Sequence, residues 1–290
     1  MKPEKLSRRR EPLSGPSYKK QPVRKKSAGH RKSARSEKTR NDSTAWDAQA
    51  AWYDRLVGED GSDYHKEVIL PGTMRLLAPA AGERILDLGC GQGVFCRLLA
   101  AHGVEVTGVD LSKELIAAAK RYESTERIHY RIADACALPA DLRRGSYDAA
   151  TCILAVGNMK SITGFFQGAA EAVKKGGRLI VVIMHPCFRI PRQSHWQFDE
   201  AKKLQYRRID RYLSPLAIPI ITHPGRKDSP YTTMFHRPLH EIVNSASSAG
   251  WKITALEEWT SNRHSTGRRA RAENRARSEF PLFLAVRAEI

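Results

Sequence analysis

Three glycines spaced two apart close the stretch RILDLGCGQG at residues 84–93. Ahead of them runs a short apolar segment broken only by Asp87, and behind them VFCRLLA reads as a helix. Strand, glycine turn and helix in that order commit the chain to a βα unit, because glycine supplies backbone angles and close approach that a Cβ would block. A dinucleotide pyrophosphate would ask for G-x-G-x-x-G at such a turn. Here Val94 takes the last place, and the spacing is G-x-G-x-G with an acid two residues ahead. The turn of Gly89, Cys90, Gly91 and Gly93 therefore suits a bulky ligand without phosphates, and Asp87 suits one that carries positive charge.

The unit repeats. Strands are predicted over 84–88, 104–109, 127–132, 147–153 and 178–184, with helices over 93–101, 112–122 and 161–174. This alternation predicts a Rossmann-like, doubly wound α/β fold with a mainly parallel sheet. Leu179 to Met184 is apolar at every position, as a strand covered on both faces must be. From about Ser43 two helices precede this core, the first with Trp46, Ala50, Tyr53 and Val57 at helical spacing. After Met184 the rhythm stops. Residues 185–232 are rich in Pro and aromatics and too long for an ordinary connection, which predicts an insertion that shapes a pocket or lid. A helix at about 237–249 and two β runs, WKITALEEW and FPLFLAVRA, joined by an Arg-rich stretch, complete the chain. The expected organisation is a disordered basic tail (1–42) and one domain (43–290). That domain divides into cap helices (43–82), a cofactor-binding core (83–184), the substrate-side insertion (185–232), and the last helix with the C-terminal β-hairpin (233–290).

Charge is unevenly distributed. Residues 1–40 hold 15 of the 49 Lys and Arg and 3 of the 31 Asp and Glu, so most of the formal +18 lies in the tail. Such a segment cannot offset the entropy of ordering itself, and it offers either a nucleic-acid contact by charge or a solubilising extension. No window is apolar enough to span a membrane, and no secretory signal is visible, which makes the cytoplasm the expected location. The five cysteines form no C-x-x-C pair, so neither a metal site nor a disulfide framework is expected.

Acids recur at the strand ends. Asp110 ends the second strand in VTGVD, and Asp134 follows the third in RIADACALP. With ILDLGCGQG, VTGVDLS, ADACALP, SYDAATCI and AVKKGGRLIVV in this order, residues 84–184 resemble the successive motifs of class I S-adenosylmethionine-dependent methyltransferases. Within that family it resembles the small-molecule, ubiquinone/menaquinone-biosynthesis-like branch. The resemblance implies a seven-stranded, mainly parallel sheet with an antiparallel C-terminal hairpin strand, and S-adenosylmethionine as cofactor. It also implies that Asp87 and the turn Gly89, Cys90, Gly91 and Gly93 hold the methionine part. Asp110 would take the ribose and Asp134 with Ala135 the adenine, with Leu111 and Cys136 as apolar flanks.

Methyl transfer from a sulfonium needs alignment and exclusion of water, without a metal or a covalent intermediate. Should the acceptor need a base, His185 at the end of the fifth strand is the first candidate; lining the pocket and merely ending the strand are its other readings. His236 and Asn158 are candidates for the substrate pocket. Asn158 lacks the N-P-P-Y-type signature that resembles enzymes methylating amino groups of DNA bases. By the same resemblance the cap helices lie over the cofactor, which makes Tyr53 a lid residue with Tyr64 and His65 behind it. The expected acceptor is a small or mid-sized organic molecule methylated on O or C. The alternatives are an RNA methyltransferase using the tail and the Arg263–Arg277 run, and a cofactor-binding regulator without turnover. Oligomeric state is not legible.

Overall fold

The computed structural model describes residues 45–123, 125–221 and 231–290, so the expected basic tail and residues 222–230 of the insertion lie outside the described residues. Helices α1 (Ala50–Val57) and α2 (Leu70–Leu77) lead into β1 (Arg84–Leu88), α3 (Val94–Ala101), β2 (Glu105–Asp110), α4 (Lys113–Arg121), β3 (Ile128–Ile132) and β4 (Tyr147–Ile153). Helix α5 (Ile162–Ala172) and β5 (Val173–Met184) complete the core. The insertion carries β6 (Ser194–Asp199), β7 (Leu204–Ile209), β8 (Leu216–Ile221) and β9 (Tyr231–His236). The chain ends with α6 (Leu239–Ser248), β10 (Lys252–Trp259), α7 (Ala270–Glu279) and β11 (Phe283–Glu289).

The main sheet has seven strands in the order β10-β11-β5-β4-β1-β2-β3. Only β11 runs against its neighbours, β5 and β10; the remaining pairs are parallel. Successive strand residues face opposite layers, so Leu86 and Leu88 join one apolar core while Ile85 joins the other. The first core includes Phe165 and Trp251, whose indole N–H donates to the Phe166 carbonyl at 3.0 Å. The second gathers Phe95, Leu99 and Phe283. Strand order reverses between β1 and β4, and a crevice opens there beyond the carboxyl ends of the strands.

Three elements differ from the sequence expectation. Strand β5 starts at Val173 rather than 178, with a register irregularity opposite Tyr147–Ala149 where Lys174 to Gly177 reads as a turn. The insertion is built of two antiparallel ribbons, β6–β7 and β8–β9; Pro219 is tolerated in β8 because a two-stranded ribbon has an open edge on each side. The Arg-rich connection near the C-terminus is no hairpin loop, since residues 270–279 form α7. Alternating Ala, Arg and Glu are strong helix formers, and Ala276 is the buried contact.

Candidate functional site

The glycine turn is held from below. The amides of Gly89 and Cys90 both donate to the Val109 carbonyl, at 2.8 and 3.0 Å, which ties the end of β1 to the end of β2. Gly89 and Gly93 have φ of 75° and 80°. A Cβ on Gly89 would stand 2.5 Å from the Ala155 Cβ, and one on Gly93 would stand 2.1 Å from the Tyr130 hydroxyl. These glycines are thus required by the protein's own neighbours. Gly91 instead faces Tyr53 of α1, whose ring lies 3.5 Å from where its Cβ would be.

Each of the three acids is engaged. Asp87 is 2% exposed and accepts from the Thr151 hydroxyl at 2.7 Å and from the Cys96 thiol at 3.4 Å. Burial outweighs those donors and pushes its pKa up to about 6. Asp110 accepts the Gly91 amide at 2.9 Å on one oxygen and the Ser112 amide at 2.8 Å on the other. Burial raises its pKa too, with those amides pulling it back. Asp134 accepts the Cys136 amide at 2.8 Å and so shapes the turn after β3. The Ser112 hydroxyl caps α4 and donates to Asp47 at 2.6 Å, which fastens the N-terminal segment beside Asp110.

A cleft of about 740 Å³ lies along these strand ends, a size suited to a small-molecule ligand. Gly89, Asp110, Leu111, Asp134, Ala135 and Asn158 all line it. Leu111 is 50% exposed, an apolar surface presented to the cleft. Gly89 also borders a small recess formed with Asp87, Cys90 and Tyr53. The Tyr53 pKa is pushed up to about 12 by burial and by the nearby Asp110, Cys90 and Asp87, so the phenol stays protonated.

The remaining candidates lie elsewhere. His185 is buried, its Nε2 stands 2.6 Å from Glu258 Oε1 and its Nδ1 accepts the Cys187 amide at 3.2 Å. This network assigns the proton to Nε2 of a neutral ring, and burial lowers the pKa. The His236 Nε2 lies 2.7 Å from the Tyr212 carbonyl, and the residue lines a narrow apolar recess beneath the loop after β4. Tyr64 faces a separate pocket, bonded to Ser261 at 3.0 Å and packed edge-on against Phe283. It does not line the large cleft.

Sequence reasoning missed several residues of the site. Thr151 and Cys96 hold Asp87, and only their strand and helix periodicity placed them near it. Trp46, read as part of a helical stripe, lines the large cleft. Arg237, in the FHRP stretch, donates to the carbonyls of Met159 and Lys160 at 2.7 and 2.9 Å and pins the loop that carries Asn158. No spacing signal linked it to that loop.

Residues 86–181 match the family described as "Methyltransferase domain". A ubiquinone biosynthesis O-methyltransferase of Xanthomonas oryzae pv. oryzae is 35% identical over 103 residues, 35% of this chain and 43% of that protein. A demethylmenaquinone methyltransferase of Tropheryma whipplei is 35% identical over 114 residues, 39% of this chain and 46% of the other. The chain thus spans less than half the length of these two relatives. Among solved structures, an S-adenosylmethionine-dependent methyltransferase from Mesorhizobium loti is 29% identical with a TM-score of 0.62, over 80% of this chain and all of that one. One from Listeria monocytogenes, 23% identical, shares the fold at a TM-score of 0.60 over 76% of this chain and 98% of that one.

Proposed function

We propose that this chain, a class I S-adenosylmethionine-dependent methyltransferase by motif and fold, moves a methyl group from S-adenosylmethionine to an oxygen or carbon of a small or mid-sized ring-bearing acceptor. One observation carries the reading: Asp110 and Asp134, at the tips of adjacent strands, line a single large cleft with Gly89, while Asp87 closes the recess beside it. The residues fit the cofactor. Asp110 uses one lone pair of each oxygen on a backbone amide and keeps others for two ribose hydroxyls. Asp134 and the Ala135 amide would hold the adenine of the cofactor, with Leu111 and Cys136 as its apolar flanks. The glycine turn and Asp87 would hold its methionine part, beside Tyr53.

When bound, the cofactor supplies an activated methyl on a good leaving group. The protein's part is to align the acceptor and keep water out. Tyr53 closes the recess from α1, and Arg237 keeps the Asn158 loop in place on the acceptor side. His185 acts through position: with one nitrogen given to Glu258 and the other to a backbone amide, it braces Phe188, 4.8 Å away, instead of taking a proton. The names of the quinone-pathway relatives support a phenolic or quinol-like acceptor.

Calorimetric titration with S-adenosylmethionine, and transfer of labelled methyl to a panel of phenols and quinols, test the proposal. Asp110→Ala should weaken cofactor binding by about 1–3 kcal/mol, since it removes charge-assisted hydrogen bonds. Unchanged affinity in that variant would overturn the ribose assignment. Absence of transfer to every ring-bearing acceptor would overturn the substrate class.

A further inference from the structure

A pocket of about 190 Å³ that shares no lining residue with the large cleft is lined by Arg189, Arg207, Arg263 and Arg277, with Trp196 and Phe280 among its walls. Four arginines converge there from four separate stretches of chain, and the lining contains no Asp or Glu. Among the described residues, none of the ion pairs involves any of the four. Elsewhere on this chain arginines do find carboxylates: Arg75 meets Glu257 at 2.5 Å and Arg178 meets Glu83 at 2.7 Å.

Like charges gathered in a partly buried place repel one another. Arg207 shows the cost, its pKa falling to about 10 through burial and the neighbouring Arg189. Yet Arg207 is firmly held, donating from Nε to the Phe188 carbonyl at 2.8 Å and from a terminal nitrogen to the Ser194 hydroxyl at 2.7 Å, with its guanidinium over the Trp196 ring. Arg263 lies over the Tyr64 ring, and Arg277 donates to Ser265. Arg189 is half-buried; its backbone amide donates to the His185 carbonyl at 2.8 Å, while its guanidinium donates to no described residue. A pre-formed cluster of this kind is completed by an oxyanion, for which guanidinium is the matching donor.

The walls add a second selection. Phe188 and Trp196 each meet Phe280 edge-on at 5.6 Å, so the arginines are mounted on an aromatic cage suited to a flat ring. Arg189 also lines the narrow apolar recess with Gly157 and Met184, residues that follow β4 and end β5 at the carboxyl edge of the sheet. The pocket therefore adjoins the acceptor side of the fold.

We propose that Arg189, Arg207, Arg263 and Arg277 receive the oxyanion of an aromatic ligand, and that this ligand is the methyl acceptor. The acceptor class is then an aromatic acid, with carboxylate and phosphate as the two sources of the charge. The acceptor assignment rests on the methyltransferase reading; the oxyanion pocket does not.

The test uses the full chain with benzoate, phenyl phosphate and uncharged benzyl alcohol, followed by calorimetry and by Trp196 fluorescence. At least one of the two anions should bind about tenfold or more tightly than the alcohol, and whichever binds better identifies the source of the charge. Arg189→Gln and Arg263→Gln should each weaken anion binding about tenfold, leave the alcohol unaffected, and keep S-adenosylhomocysteine affinity as a check on folding. Equal binding of charged and neutral probes would overturn the pocket, as would anion affinity unchanged in both variants. So would tighter binding of a short oligoribonucleotide than of either anion, lost in the same variants. Anion binding in a protein that binds no S-adenosylhomocysteine would uphold the pocket and overturn the acceptor assignment.

Discussion

The two sides of this molecule handle charge in opposite ways. On the proposed cofactor side Asp87, Asp110 and Asp134 each have a protein donor within hydrogen-bond reach, and Asp110 has two backbone amides. In the pocket proposed for the acceptor four arginines meet without a single carboxylate. The first arrangement is finished before any ligand arrives, so little reorganisation accompanies binding. The second is incomplete by itself and gains its counter-charge only from what it binds. On the proposed reading, affinity for a common cofactor is built into backbone geometry, while selectivity is left to side chains from distant segments.

The strongest way to break this comparison is to remove the slack-free packing under the glycine turn. Gly93→Ala places a Cβ 2.1 Å from the Tyr130 hydroxyl and 2.7 Å from its ring carbon, at a backbone φ of 80°. We expect a loss of about 3 kcal/mol or more in urea unfolding. Adding Tyr130→Phe should return only part of it, since the ring carbon remains in the way. A Gly93→Ala protein as stable as the parent would mean that the cofactor side is not pre-formed at all.

A smaller effect sharpens the point and has a pH signature. In the folded protein Asp87 binds its proton up to about pH 6, against an ordinary value of 3.8. At pH below the ordinary value both folded and unfolded chains are protonated, and the buried carboxyl costs nothing. As pH rises the unfolded chain ionises first, so stability drains away until the folded pKa is passed, and above it the whole penalty applies. Asp87→Asn keeps an acceptor for Thr151 and carries no charge. It should therefore be more stable than the parent by about 3 kcal/mol near neutrality, with the gap narrowing as the pH falls through about 6 and closed below about 4. Urea midpoints measured across that range check it; a gap independent of pH would place the cause outside ionisation.

Legibility in the sequence follows the same division. Asp87, Asp110, Asp134 and the three glycines are encoded within a few residues of the strand that carries them, so short motifs announce them. The two-faced cores follow from apolar runs of the right length, such as Leu179 to Met184, whereas the β11 reversal was legible only through the family resemblance. What could not be read is whatever long-range packing decides. Arg189 and Arg263 are 74 positions apart in the chain, and nothing local to either predicts a shared pocket. The bond from His185 to Glu258 crosses 73 residues, and no local pattern links the two. Helix α7 is legible in its helix-forming alanines, although its arginines dominate the local composition.

Tyr53 is the place where a distant element enters the cofactor side, and it yields the smallest and most discriminating test. Its ring packs edge-on against Trp46 at 5.5 Å and covers Gly91, so part of its role is apolar and survives conversion to phenylalanine. The hydroxyl is a separate matter: held neutral beside Asp110 and Asp87, it can donate to whichever carboxylate or ligand oxygen is nearest. Tyr53→Phe should leave unfolding stability within about 0.5 kcal/mol. It should weaken S-adenosylhomocysteine binding by about 0.5–1.5 kcal/mol, the worth of one hydrogen bond. Calorimetric affinity equal to the parent would reduce Tyr53 to a member of the apolar stripe of α1. In that case the cofactor side is complete without α1, and the contrast with the arginine pocket becomes sharper than the geometry alone implies.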